Sequence, residues 1–127
     1  MSDKPQHGAF CWNELMTNDS KAAKDFYGKL FGWKYDDQKM KDMTYTMLNM
    51  GDKMVGGMFE MSSDQKSKIP PHWMGYIAVD NLEETVKKAQ ELGAKVVVEP
   101  KNAGEYGRLA VLTDPTGAHI AFWQAMM

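Results

Sequence analysis

Trp12-Asn13-Glu14-Leu15-Met16-Thr17-Asn18-Asp19-Ser20 leads into Phe26-Tyr27-Gly28-Lys29-Leu30-Phe31-Gly32-Trp33, and this stretch decides the fold. Its first part belongs to a strand-like run from Ala9 to Met16. Asn18, Asp19 and Ser20 are helix-capping types. From Ser20 to Leu30, apolar residues recur at helical spacing: Ala22, Ala23, Phe26, Tyr27 and Leu30, with Phe31 next in line. Lys21, Lys24, Asp25 and Lys29 fill the other face. Gly32 stands where a C-terminal cap belongs. The stretch therefore predicts a strand followed by an amphipathic helix. Three more strand-like runs follow: Lys34-Tyr35, Thr44 to Met50 and Met54 to Glu60. Gly51-Asp52 supplies turn chemistry between the last two.

The pattern then repeats. Met74 to Val79 reads as a strand, Asp80 or Asn81 as a cap, and Leu82 to Leu92 as a helix ended by Gly93. Its stripe is Leu82, Val86, Ala89 and Leu92. Lys95 to Val98, Leu109 to Thr113 and His119 to Gln124 read as strands, the last two joined by Asp114-Pro115-Thr116-Gly117. The offset is about 62 residues, placing Leu15 on Ile77 and Leu30 on Leu92, and slightly more in the hairpins, placing Phe59 on Trp123. Between the copies lies a polar stretch closed by Pro70-Pro71. The expectation is one α+β domain over 1–127. It would comprise a βαβββ module at 8–61, a linker at 62–71 and a second module at 72–125.

Composition narrows the functional classes. The chain of 127 residues holds 15 Lys+Arg against 17 Asp+Glu, a net charge of −2, which argues against nucleic acid or an anionic membrane as partner. At 43% hydrophobic and 25% charged it can fold on its own core, which argues against disorder. Cys11 is the only cysteine, so neither an internal disulfide nor a cysteine zinc site is expected. No apolar run approaches a membrane span, and the polar N-terminus lacks a signal-peptide core, so a cytoplasmic location is expected. Twelve methionines suit an adaptable pocket, or simply fill the core.

The motifs resemble those of the vicinal oxygen chelate superfamily, which includes glyoxalase I, bleomycin-resistance proteins and extradiol dioxygenases. They are the Trp12-to-Trp33 stretch, Val55-Gly56-Gly57-Met58, Tyr76-Ile77-Ala78-Val79-Asp80, Gly107-Arg108 and Asp114-Pro115-Thr116-Gly117-Ala118. The wording is most like the small glyoxalase-like, or hydroxylase-like, branch. The resemblance implies two paired βαβββ modules whose curled mixed sheet encloses a cleft. It also implies four metal ligands, usually His and Glu, on the first and last strand of each module.

Carried onto this chain, those four positions are Trp12, Gly57, Met74 and Ala121. None offers the imidazole or carboxylate that Zn²⁺, Ni²⁺, Mn²⁺ or Fe²⁺ prefers. A slip of one residue brings up nothing better. Neither a metal nor another cofactor is therefore expected. His7, His72 and His119 show no metal-binding spacing, and Gly56-Gly57 is not followed as a phosphate loop would be.

Strand alternation assigns the cleft lining. Trp12, Glu14 and Met16 should face inward on the first strand; Tyr45, Met47, Val55, Gly57 and Phe59 on the first hairpin. Met74, Tyr76 and Ala78 should face inward on the fifth strand, and His119, Ala121 and Trp123 on the last. The ligand-binding candidates are thus Trp12, Glu14, Tyr45, Met47, Gly57, Phe59, Met74, Tyr76, Ala121 and Trp123, with Gly57 and Ala121 leaving room for a ring. Glu14, Tyr76 and His119 are the catalytic candidates, because a carboxylate on an apolar face should have a raised pKa and could act as a base. Each has a plainer alternative. Trp12 and Trp123 could be core or interface aromatics, Glu14 an ion-pair partner and His119 a surface histidine. Cys11 is expected to be packed and inert, and Arg108 to sit in an exposed loop, from which it could close over an anion.

Three functions remain. The first is metal-free binding of an apolar or aromatic small molecule. The second is a metal-dependent or Glu-based lyase, isomerase or dioxygenase. The third is a partner protein with a self-filled cleft. A homodimer is expected from the resemblance.

Overall fold

The structure is a computed structural model that describes residues 5–41 and 43–126. The chain divides into two compact units. One is residues 12–74; the other is residues 75–126 together with 5–11. The eleven elements, in chain order, are β1 (Phe10–Thr17), α1 (Ser20–Phe31), β2 (Lys34–Lys39), β3 (Thr44–Met50), β4 (Lys53–Glu60), α2 (Ser63–Lys66), β5 (His72–Ala78), α3 (Leu82–Glu91), β6 (Lys95–Ala103), β7 (Gly107–Thr113) and β8 (His119–Ala125).

In the first unit the strand order is β2-β3-β4-β1, with β1 parallel to β4 and the other pairs antiparallel. Asp19 caps α1 by accepting from the Ala22 N–H at 3.0 Å. Gly32 ends it at φ 77°, donating its N–H to the Gly28 carbonyl at 2.8 Å. Leu15, Leu48 and Met58 form the core, with Ala23, Tyr27, Trp33, Tyr35 and Val55 against it. Only part of the apolar stripe of α1 is used: Phe26 is 58% exposed and Leu30 and Phe31 are each 57% exposed. The stripe is wider than the patch of sheet beneath it.

In the second unit the order is β5-β8-β7-β6, with β5 parallel to β8. Asn81 caps α3 by accepting from the Glu84 N–H at 3.1 Å. Val79, Leu82, Val86, Ala110 and Leu112 form this core. Complete burial of Leu82 or Leu112 contributes about 1.5–3 kcal/mol each. The two units repeat in register as well as in order. Glu14 pairs with Gly57 as Tyr76 pairs with Ala121, and Met16 with Phe59 as Ala78 with Trp123.

Several boundaries differ from the sequence reading, for identifiable reasons. β2 runs on to Lys39 because Asp37 is held by Thr46 and Lys24, so its charges are compatible with a strand. β6 runs on to Ala103 through Pro100, which an edge strand tolerates where the register shifts between Val98 and Lys101. The linker holds a helical turn, α2, closed by a capping box between Ser62 and Gln65. His72 opens β5, two residues before the strand start expected at Met74. Among the described residues no helix is long and apolar enough to cross a membrane.

Candidate functional site

The polar centre of the first unit is a chain of three side chains. The Trp12 indole N–H donates to the Tyr45 hydroxyl at 2.9 Å. The Tyr45 O–H in turn donates to Oε2 of Glu14 at 2.7 Å. Glu14 is 8% exposed, one of the few charged or polar side chains in the buried interior. The strand order explains how they meet. Tyr45 lies on β3 and Glu14 on β1, with β4 between them. The phenol must cross β4, and it crosses at Gly57. A Cβ built on Gly57 would overlap the Tyr45 hydroxyl and lie 2.6 Å from ring carbon Cε2. Only glycine leaves that path open.

Direction follows from donor count. An indole has one donor and a phenol one proton, so Glu14 is the accepting end, as suits a carboxylate. Burial pushes the Tyr45 hydroxyl well above the ordinary phenol range; the charge and hydrogen bond of Glu14 add to this and the Trp12 bond opposes it. Tyr45 is thus a permanent donor at physiological pH. Phe59 stacks beside it with ring centroids 6.4 Å apart, and Met47 pairs with Gly57 on the same face.

In the second unit Tyr76, 6% exposed, meets half-buried Trp123 edge to face at 6.4 Å. Trp123 lies across β7 at Gly107, where a Cβ would stand 2.6 Å from its ring. An aromatic laid over a strand glycine is therefore used in both units. Ala121 and Met74 are buried.

The remaining candidates sort by their surroundings. His119 is exposed at the start of β8. His72 lies with Nδ1 2.9 Å from the Pro70 carbonyl, and His7 accepts from the Asp80 N–H at 3.0 Å. Arg108 is on β7, not in a loop; it is ion-paired to Glu83 and bonded to Asn102 at 3.1 Å. Cys11 is half-buried, and burial pushes its thiol up, away from the reactive thiolate. Val55 packs toward the helix-side core instead of inward, because the register shifts between Leu48 and Asn49 on the facing strand. The space expected above Gly57 holds the chain's own Tyr45 ring. Sequence reasoning missed this role of Gly57 and that of Gly107, although glycine inside a strand pattern is a signal of close approach.

The metal implied by the resemblance does not fit these residues. The Trp12 nitrogen is a donor already used by Tyr45, Gly57 is covered, and Met74 and Ala121 bring no nitrogen or carboxylate. Among the described residues no three His, Cys, Asp or Glu side chains are grouped to hold a metal ion.

Comparison with known proteins bears on the family. The chain is 38% identical over 116 residues to a Mycobacterium bovis protein named "Putative glyoxylase CFP32", a match covering 90% of this chain and 44% of that protein. It is 37% identical over 111 residues to the anthracycline biosynthesis protein DnrV of Streptomyces peucetius, covering 87% of this chain and 39% of that one. The chain thus spans less than half the length of these relatives. Among solved structures, methylmalonyl-CoA epimerase from Mycobacterium tuberculosis has a TM-score of 0.69 at 14% identity, covering 100% of this chain and 93% of that one. Homoprotocatechuate 2,3-dioxygenase from B. fuscum has a TM-score of 0.63 at 14% identity, covering 99% of this chain and 35% of that one. At such identities the likeness is one of fold. The family model for the glyoxalase, bleomycin resistance protein and dioxygenase superfamily matches residues 9–122, and the chain belongs to that superfamily.

Proposed function

We propose that this chain is a metal-independent binder of an apolar or aromatic small molecule. The ligand would lie against Trp12, Tyr45, Met47 and Phe59, with Glu14 as the polar anchor. The observation that carries the reading is the Trp12–Tyr45–Glu14 chain, which uses Trp12 and covers Gly57, two of the four positions that the resemblance carries over as metal ligands. It joins a few placed polar groups to an aromatic and methionine face, the usual make-up of a small-molecule site. Two relatives carry names from anthracycline biosynthesis, the making of fused-ring aromatics, which suits such a ligand.

The test is metal analysis of the purified protein, melting scans with added Zn²⁺, Ni²⁺, Mn²⁺ and Fe²⁺, and tryptophan fluorescence titrations with aromatic compounds. Metal below stoichiometric amounts, an unmoved Tm and a saturable quench are expected. A native-state metal must raise the Tm by mass action, so stoichiometric metal with a clear rise would return the chain to the metal enzymes. We further propose that the chain pairs as a homodimer. The support is the unburied apolar face formed by Phe26, Leu30 and Phe31 of α1 with Trp73, which is 44% exposed.

A further inference from the structure

The Tyr45 side chain sits in the first unit as a tethered ligand would. Its ring lies over Gly57, where β4 has no side chain to exclude it. Phe59 stacks beside it at 6.4 Å, and Met47 lies in register with Gly57. The hydroxyl at the far end of the ring makes two bonds of opposite sense. It accepts from the Trp12 indole N–H at 2.9 Å and donates to Oε2 of Glu14 at 2.7 Å. All of these residues belong to the one unit, 12–74. A hydroxyl is the group that accepts from one partner and donates to the next through a single oxygen. An ammonium has no lone pair for Trp12, and a carboxylate or an ether has no proton for Glu14. The place is therefore shaped for a flat ring and coded for a hydroxyl upon it. The code needs only the one Glu14 oxygen that Tyr45 already uses.

From this geometry we infer that Tyr45 is a built-in stand-in for the ligand. The site takes a ring compound bearing a neutral hydroxyl, whose oxygen replaces that of Tyr45 between Trp12 and Glu14 as the Tyr45 ring swings aside. The inference rests on the binding reading above and adds to it the ligand's chemical class and the step that admits it. The tether makes Tyr45 autoinhibitory. A ligand binds only those molecules whose Tyr45 has let go, so its apparent affinity is reduced by that fraction. The two bonds that hold Tyr45 in place keep the fraction small. A ligand hydroxyl remakes both bonds. A ring without one leaves the Trp12 N–H and Oε2 of Glu14 without the partner that Tyr45 gave them, which is costly in a buried place.

The test compares the native chain with Tyr45→Phe, using naphthylmethanol and its methyl ether as probes and calorimetry at neutral pH as the readout. Tyr45→Phe keeps the ring and cuts both of its bonds. It should bind naphthylmethanol at least about fivefold more tightly than the native chain, because the ring gives way more easily while Trp12 and Glu14 remain for the probe's hydroxyl. The ether keeps the ring and an accepting oxygen but has no proton to donate. It should bind either chain at least about fivefold more weakly than the alcohol. A Tyr45 that merely lines the site would give unchanged or weaker alcohol binding in Tyr45→Phe; that result would overturn the stand-in and leave the binding reading intact. Should Tyr45→Phe lose its cooperative melt, proton NMR of the native chain decides instead. The Tyr45 hydroxyl signal, protected from exchange by the bond to Glu14, should vanish on saturation with naphthylmethanol, and its persistence would overturn the stand-in. Binding of neither probe to either chain would overturn both readings.

Discussion

Gly57 decides whether Tyr45 can reach Glu14, because the phenol crosses β4 at that residue. Gly57→Ala puts a methyl into the ring and should destabilise the chain by about 1–3 kcal/mol through overpacking. In a Tyr45→Ala background the same substitution meets no ring and should be nearly neutral. A double-mutant cycle by urea unfolding reads the coupling, and additive effects would show that the ring does not lie over Gly57. Tyr45→Phe tests the polar side of the same contact. It removes one acceptor from Trp12 and one donor from Glu14, and should lower stability by about 1–3 kcal/mol. These contacts were only partly legible in the sequence. Alternation placed Trp12, Glu14 and Tyr45 on one face, since side chains of a strand alternate strictly. It could not show that a ring on one strand passes over the next to reach a third, because that depends on strand order, which local pattern does not encode. Val55 failed for a related reason: one register shift moved it to the other face.

Helices and turns were the most legible elements, because their signals are local. Asp19, Gly32 and Asn81 cap as their residue types suggest, and Asp114 closes its turn by accepting from Thr116 and Ala118. The charged strand β2 and the proline-bearing β6 were read too short, since their partners across the sheet supply what their own sequences lack. The start of α1 carries a second device. Glu60 accepts from the Ser20 N–H at 2.9 Å and is ion-paired to Lys66 of α2. These contacts hold its carboxyl at about 2, against an ordinary 4.5. A lowered folded pKa stabilises the native state above the unfolded value, and that stabilisation is lost as pH falls toward the folded one. Stability should therefore decline between about pH 4.5 and pH 2, and Glu60→Gln should flatten part of that decline. The group is largely exposed, so the effect is small and weakened by salt. Chemical denaturation across that pH range, at low and high salt, checks it. An unchanged profile for Glu60→Gln would remove Glu60 as a contributor.

At the scale of the whole molecule, the repeat governs what the chain can do alone. Each unit has its own core and its own helix, yet the two helices are used differently. α3 buries Leu82 and Val86, while α1 has no fully buried residue and presents Phe26, Leu30 and Phe31 to solvent. Beneath them Tyr27, Trp33 and Trp73 form a ring cluster, with Tyr27 and Trp33 stacked at 5.1 Å and Trp73 edge-on to both. Rigid, preassembled aromatics lose little entropy on association, which is why such residues dominate interface energetics. Sedimentation of the native chain at micromolar concentration should show a dimer. Phe31→Lys places a charge on the proposed contact without touching the caps of α1, and should shift the population to monomer while far-UV circular dichroism stays unchanged. Because the ligand site proposed here stands on Trp12, Tyr45 and Glu14 instead of α1, the same variant should keep its affinity for naphthylmethanol to within about threefold. A variant that stays dimeric would place the interface elsewhere. A monomer that loses ligand affinity would mean that the site is completed only by pairing.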